Sequence, residues 1–132
     1  MLLRANAQPE RDVRTQRLAD KLPFPAKVVK VLDGDTLCVE LDVPGQLLPR
    51  IEYIRLAAID APEMRGPTPL AAAWSRDALA RLVSRQVVTI HPTRIWRDPY
   101  SRIIARVRTH DTDVGAWLVQ HGFAKRRQNT TR

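Results

Sequence analysis

The sequence has little cysteine, and this scarcity excludes two ways of stabilising a small protein. Its 132 residues include one cysteine, Cys38, so no disulfide can form within the chain. The three histidines, His91, His110 and His121, have neither cysteine partners nor the spacing of zinc ligands. We therefore expect a domain held together by its hydrophobic core, with Cys38 as a buried and inert thiol.

Long apolar runs are also absent. No segment approaches the ~20 apolar residues that span a bilayer. The amino terminus, Met1-Leu-Leu-Arg4, lacks the apolar stretch of about 7–15 residues that a signal peptide needs. As written, the sequence predicts a cytoplasmic protein without a membrane partner, unless another route exports it.

Acidic residues are outnumbered by basic ones. The chain has 22 Lys and Arg against 14 Asp and Glu, a formal net charge of +8. Such a charge creates a long-range field that attracts polyanions, so nucleic acid is the natural partner, although basic residues can also serve solubility alone. A hydrophobic content of 44% over 132 residues fits one compact domain.

Prolines and changes in composition divide the chain into three parts. Residues 1–26 form a basic amino-terminal extension, which is either disordered or a short amphipathic helix. Pro23 and Pro25 would interrupt such a helix, because proline removes a backbone donor and restricts the preceding residue. Residues 27–125 are then the core domain, and residues 126–132 are a basic tail.

The core domain begins with the pattern of three strands. Runs rich in β-branched residues, Val28–Leu32 and Thr36–Leu41, are separated by the hairpin signal Asp33-Gly34-Asp35. Residues 50–59 have the composition of a third, partly buried strand. This order predicts an antiparallel meander.

Helical periodicity appears twice. Residues 69–84 place Trp74 on an apolar face, and Val114–Gln120 form a final helix that contains Trp117, with Asp113 as its N-cap. We expect both tryptophans to lie in the core. The predicted apolar face of the first helix comprises Leu70, Trp74, Ala78, Leu79, Leu82 and Val83.

Two further strands complete the pattern. They cover Val87–Ile90 and Arg102–Arg108 and are joined by a basic loop over residues 91–101. Five strands with a helix after the third and another at the end predict a β-rich α+β fold. The architecture is a five-stranded Greek-key barrel of the OB type with two core helices, and an extra amino-terminal helix if residues 1–26 fold.

Three acids and an arginine stand where predicted strands end. Asp35 follows the hairpin turn, Asp60 and Glu63 follow the third strand, and Arg55 lies within it. Carboxylates that converge beside a cation suggest metal-assisted phosphate chemistry. Each element also has a plainer interpretation, namely a simple turn, a solvated loop or a solvent-facing strand residue.

The string Asp98-Pro-Tyr100-Ser-Arg102 adds a second guanidinium and an aromatic ring. Tyr100 either lines a substrate cleft or packs in the core. In the preceding basic loop, Trp96 is a candidate for base stacking, unless it packs under the barrel, and Arg97 for substrate binding. Together these motifs suggest a phosphodiesterase that acts on nucleic acid.

Four strings follow one another along the chain: Val31-Leu-Asp-Gly-Asp-Thr-Leu37, Ile54-Arg-Leu-Ala-Ala-Ile-Asp-Ala-Pro-Glu63, Asp98-Pro-Tyr-Ser-Arg102 and Asp113-Val-Gly-Ala-Trp-Leu-Val-Gln-His-Gly-Phe-Ala124. In order and spacing they resemble the staphylococcal nuclease (thermonuclease) family. The resemblance runs from about residue 27 to 125 and implies an OB-fold nuclease that uses Ca²⁺ to hydrolyse DNA and RNA and leaves 3′-phosphate ends.

The resemblance also implies the residue roles. Asp35, Asp60 and the backbone carbonyl of Ala61 would bind the metal, and family members commonly have threonine in place of Ala61. Glu63 would activate water. Arg55 and Arg102 would hold the scissile phosphate.

Two rival interpretations remain at the level of sequence. One is a non-catalytic OB-fold module that binds nucleic acid, and the other is a protein-interaction domain with a vestigial site. Retention of all five polar side chains favours the enzyme. Family members also continue into a further helix after Ala124, whereas only residues 125–132 follow Ala124 in this sequence. We therefore expect a helix formed by residues 10–22, or a partner subunit, to cover the apolar surface that the family's further helix would bury.

Overall fold

The computed structural model describes residues 23–127, apart from the side chains of residues 94–96. The predicted amino-terminal helix and residues 128–132 of the predicted tail lie outside the described residues. In chain order the elements are β1 (Phe24–Asp33), β2 (Thr36–Leu41), β3 (Arg50–Leu56), β4 (Ile59–Asp60), α1 (Pro69–Val83), β5 (Val87–Arg97), β6 (Ile103–Thr109), β7 (Thr112–Asp113), α2 (Val114–Gln120) and β8 (Lys125–Arg126).

The main sheet closes into a barrel. Its strand order is β3-β2-β1-β5-β6-β7, and β3 also pairs with β6 in parallel, with Ile54 opposite Ile103. β1, β2 and β3 pair antiparallel, which confirms the predicted meander. The predicted α+β class, with a five-stranded barrel and two helices, is therefore confirmed.

The core fills the barrel and the space under the helices. Leu37, Val39 and Leu41 alternate along β2 and face inward, as the period of two in a strand requires. Leu79 on α1 and Leu118 on α2 are fully buried against them in one continuous cluster. Cys38 is buried as predicted, and burial raises the pKa of its thiol.

The predicted basic loop over residues 91–101 is wrong for most of its length. β5 continues to Arg97, with His91 opposite Arg106, Pro92 opposite Ala105 and a register shift before Arg97 pairs with Ile103. A strand can carry basic residues and a proline while its backbone is paired, because a register irregularity accommodates a residue that cannot donate to the ladder. Only the short turn from Asp98 to Arg102 remains a loop.

α1 forms where predicted and ends one residue earlier, but its buried face differs from the prediction. Leu70 is 65% exposed and Trp74 is 61% exposed, so the prediction of a core role was wrong for both. The small residues Ala72 and Ser75 face the barrel instead. Trp117 on α2 does pack against the core and stacks on Phe123.

Both ends of the described region are more regular than predicted. β1 begins at Phe24, which pairs with Ile90, rather than at Val28. At the other end Lys125 and Arg126 form β8, antiparallel to β4, so Arg126 belongs to a strand and not to a tail. Within residues 23–127 neither helix is long and apolar enough to cross a membrane.

Candidate active site

Arg55 is the centre of a polar cluster on the outer face of the barrel. It lies in β3 between Ile54 and Leu56, and its side chain is buried. Its Nη1 donates to the carbonyls of Leu56 (2.6 Å) and Ile59 (2.9 Å), and its Nη2 lies 2.5 Å from Asp60 Oδ1 and 3.6 Å from Asp35 Oδ2. One guanidinium therefore joins two of the predicted acids.

Asp35 is the buried acid of this cluster. Only 6% of it is exposed; its Oδ1 accepts a hydrogen bond from the Thr36 hydroxyl (3.1 Å), and its Oδ2 accepts one from the Ala61 N–H (2.9 Å). Its backbone carbonyl also accepts from the Leu56 N–H (2.8 Å). These bonds fix the carboxylate against β3 and the loop after β4.

Gly34 allows this turn to approach its neighbours closely. A Cβ atom there would lie 2.6 Å from the Cβ of Ser75 on α1 and 2.8 Å from the Cβ of Ala61. The hairpin signal predicts a glycine chosen for its backbone freedom, whereas here the lack of a side chain is what matters. The same contact explains why α1 turns its small residues toward the barrel.

Asp33, which was not among the predicted site residues, anchors the loop that carries Glu63. Asp33 Oδ1 accepts a hydrogen bond from the Met64 N–H (3.1 Å), and the Glu63 carbonyl accepts from the Gly66 N–H (2.8 Å). Glu63 itself is exposed, and within residues 23–127 its carboxylate has no hydrogen bond or ion pair. The doubled acid in Asp33-Gly34-Asp35 is the signal that could have assigned this anchoring role.

Arg102 joins the same cluster from the turn between β5 and β6. Its Nε donates to Asp98 Oδ2 (2.6 Å), and its Nη1 donates to the Thr36 hydroxyl (3.2 Å), which in turn donates to Asp35. Thr36 thus links the second guanidinium to the buried acid. Its place directly after Asp35 in the first string is the sequence signal for this link.

Asp98 organises the turn that presents Arg102 and Tyr100. Its Oδ1 accepts from the backbone N–H groups of both residues (2.9 Å each). Burial raises the pKa of Asp98, but these hydrogen bonds and the Arg102 guanidinium outweigh burial and hold the pKa below its ordinary value. The carboxylate is therefore charged at neutral pH.

A cleft of about 180 Å³ opens between this turn and residues 55–58 at the end of β3. Tyr100, which is 79% exposed, lies on its wall, with the Arg102 guanidinium 5.5 Å from the ring centroid. The structure thus places Tyr100 at the cleft and not in the core. The charged side chains that line the cleft are Arg55, Asp98, Arg102 and Arg127.

The predicted substrate-binding residue Arg97 is not brought to this cleft by its described contacts. Arg97 lies in β5, and its Nη1 and Nη2 each lie 3.0 Å from a carboxylate oxygen of the buried Glu52 on β3. Its Nη1 also donates to the Ser101 carbonyl (2.6 Å). Trp96 lies in the same strand, and its side chain is outside the described region.

The donor atoms of the cluster suit a hard divalent cation. In the part of the chain that the structure describes, no group of three or more His, Cys, Asp or Glu side chains could hold a metal. Asp35 and Asp60 nevertheless meet at one nitrogen of Arg55, and carboxylate and carbonyl oxygens are the ligands that Ca²⁺ and Mg²⁺ prefer. Two carboxylates with the neighbouring Ala61 carbonyl therefore fit such an ion in chemical type.

The closed five-stranded barrel, with acids and arginines on its outer face, is consistent with a nuclease-type or nucleic-acid-binding fold. The family model described as "Staphylococcal nuclease homologue" matches residues 53–132, more than half of the chain. The chain therefore belongs to the staphylococcal nuclease homologue family. No curated protein matches it.

Proposed function

We propose that the protein is a calcium-dependent phosphodiesterase that hydrolyses DNA and RNA with little sequence specificity and leaves 3′-phosphate ends. One observation carries the proposal. Arg55 and Arg102 reach the same cleft, and the Asp35–Thr36 pair links them by contacts of 3.6, 3.1 and 3.2 Å. Phosphate groups are among the ligands that guanidiniums recognise well, because their oxygens match the fork of N–H donors.

Arg55 and Arg102 would hold the scissile phosphate and stabilise the charge that grows on it during attack. Both are already oriented, Arg55 by two carbonyls and Arg102 by Asp98. Donors fixed before the reaction need no reorganisation in the transition state, and the loss of one such contact typically costs about 10²–10³ in rate.

The metal ligands would be Asp35, Asp60 and the backbone carbonyl of Ala61. A divalent cation bound there supplies charge neutralisation at a phosphate oxygen and lowers the pKa of a bound water. A backbone ligand does not depend on the side chain, so alanine at position 61 in place of the family's common threonine is compatible with this role. The backbone N–H of Ala61 already orients Asp35.

Glu63 would act as the general base that takes a proton from the attacking water. It is exposed, free of partners within the described residues, and carried on a loop that Asp33 anchors through Met64. An unpaired carboxylate is available to accept a proton, and general base catalysis typically contributes about 10²–10⁴ in rate.

Low sequence specificity follows from the kind of contact. Guanidiniums that bind phosphate position the backbone of a nucleic acid and carry no direct information about its bases. Tyr100 could add stacking, which every base supports. The proposal therefore includes both DNA and RNA as substrates.

One observation favours a second candidate, a non-catalytic nucleic-acid-binding module. Asp60 lies between two guanidiniums, 2.5 Å from Arg55 Nη2 and 3.8 Å from Arg127 Nε, so the arginines already neutralise it without a metal. A cluster balanced in this way can accept a polyanion without any chemistry. The two candidates differ in whether nucleic acid is cleaved.

The test is cleavage of end-labelled single-stranded DNA and RNA in Ca²⁺, Mg²⁺ or chelator. Wild type is compared with Arg102→Gln and with Arg81→Gln, which removes the same charge from an exposed position on α1. We expect Ca²⁺-dependent cleavage that falls by about 10²–10³ in Arg102→Gln and is unchanged in Arg81→Gln. Binding without cleavage by wild type in either metal would favour the binding module.

A further inference from the structure

Arg127 lies at the cleft although neither the sequence motifs nor the proposed mechanism assigns it a role. β8 pairs with β4, with Lys125 opposite Asp60 and Arg126 opposite Ile59. The Arg127 N–H then donates to the Ala58 carbonyl (2.8 Å), which extends this pairing by one residue. The side chain of Arg127 lines the same cleft as Arg55, Arg102 and Tyr100.

The guanidinium of Arg127 makes fewer and longer protein contacts than the other two guanidiniums in the cleft. The Arg55 guanidinium is buried and makes four polar contacts, and the Arg102 guanidinium donates to Asp98 and Thr36. Arg127 Nε lies 3.8 Å from Asp60 Oδ2, and the two side chains are 59% and 52% exposed. Exposed pairs of this kind contribute little, so Arg127 can turn toward an anion at small cost.

Charge points to the class of that anion. The lining of the cleft has three guanidiniums against the single carboxylate of Asp98, which already binds Arg102. Asp60, which pairs with Arg55 and Arg127, is not among the lining residues. If Arg55 and Arg102 hold one phosphate, Arg127 is the third guanidinium and stands on the β4–β8 side of the same cleft. A nucleic acid strand brings a second phosphate to that side.

We infer that Arg127 is a substrate-binding residue that contacts a phosphate next to the scissile one. The inference rests on the proposed function, because it assumes that Arg55 and Arg102 mark the scissile position. It assigns the β4–β8 edge of the cleft as a separate phosphate subsite. The site then binds a strand with a flanking phosphate more tightly than a lone nucleotide.

The test measures binding of a labelled single strand of about 12 nucleotides in chelator, between about 50 and 200 mM salt. Arg127→Gln is compared with Arg126→Gln, which removes the same charge from the adjacent residue of β8. Both side chains are exposed, so neither change should unfold the protein. Arg127→Lys, which keeps the charge, is the third variant.

For Arg127→Gln we expect about tenfold weaker binding at low salt and a salt slope smaller by about 0.7, the value for one lost phosphate contact. Arg126→Gln should weaken binding less than about threefold and keep the slope, and Arg127→Lys should keep the slope as well. Equal behaviour of Arg127→Gln and Arg126→Gln would overturn the inference, as would a wild type that fails to bind at about 50 mM salt. Cleavage by wild type in Ca²⁺, measured separately, decides the proposed function in either case.

Discussion

Arg55 holds the polar cluster together, and its replacement by methionine tests that description quantitatively. Methionine has a similar length and no charge, so Arg55→Met removes the guanidinium while leaving apolar bulk. The carbonyls of Leu56 and Ile59 lose a donor. Asp35 keeps only neutral hydrogen bonds, from Thr36 and from the backbone of Ala61.

The size of the effect follows from burial. The side chains of Arg55 and Asp35 are 10% and 8% exposed, and loss of one partner of a buried pair typically costs about 3–5 kcal/mol. The Asp60 side chain is 52% exposed, so its share is below about 1 kcal/mol. We expect a loss of about 3–4 kcal/mol, which is a large part of the roughly 5–15 kcal/mol that stabilises a typical domain.

The assay is urea unfolding at neutral pH in chelator, with the double mutant Arg55→Met/Asp35→Asn as the decisive comparison. Asparagine removes the unpaired charge, so the double mutant should be more stable than the sum of the single losses predicts, by about 1–3 kcal/mol. Additive losses, or a loss below about 1 kcal/mol in Arg55→Met, would refute the description of Arg55 and Asp35 as a coupled buried pair.

Three other predictions concern the residues that position the site. Gly34→Ala should destabilise by about 1–3 kcal/mol in urea unfolding, because the new Cβ would lie 2.6 Å from that of Ser75; unchanged stability would contradict the close approach. The lowered pKa of Asp98 means that its contribution to stability is present above its unfolded pKa of about 3.9 and is lost as pH falls through the folded value. Melting temperature should therefore fall more steeply below about pH 4 in wild type than in Asp98→Asn; parallel profiles would contradict this. Asp113→Ala should lower the free energy of unfolding by about 0.5–2 kcal/mol, because Asp113 caps α2 by accepting from the Ala116 N–H (3.0 Å). A calorimetric melt checks this, and an unchanged melting temperature would contradict it.

The parts of the site that the sequence predicts are those fixed by local chemistry. Asp35 follows a hairpin turn and Arg55 lies on the adjacent strand, so the Thr36–Arg55 pairing of β2 and β3 brings them together. Asp113 caps α2 because its side chain needs only the following turn. In both cases the contact joins residues that are close in sequence or lie on paired neighbouring strands, so the local sequence pattern predicts it.

The missed parts depend on contacts between distant segments. β5 continues past Pro92 because β6 pairs with it, which no local pattern of basic residues reveals. Trp74 is exposed because the close contact of Gly34 with Ser75 sets how α1 is turned toward the barrel. Arg127 reaches the cleft through β4 and β8, which are only two residues long and too short to show a period.

The most direct test of the proposed nuclease is metal-dependent cleavage by wild type and Glu63→Gln, with end-labelled single-stranded DNA and RNA and analysis of the product ends. Glu63 is exposed and unpaired within the described residues, so the substitution should not change stability and also controls for contaminating nucleases. The account predicts Ca²⁺-dependent products with 3′-phosphate ends, formed about 10²–10⁴ times more slowly by the variant. Equal rates for the two proteins, or intact substrate with wild type in Ca²⁺, would contradict it.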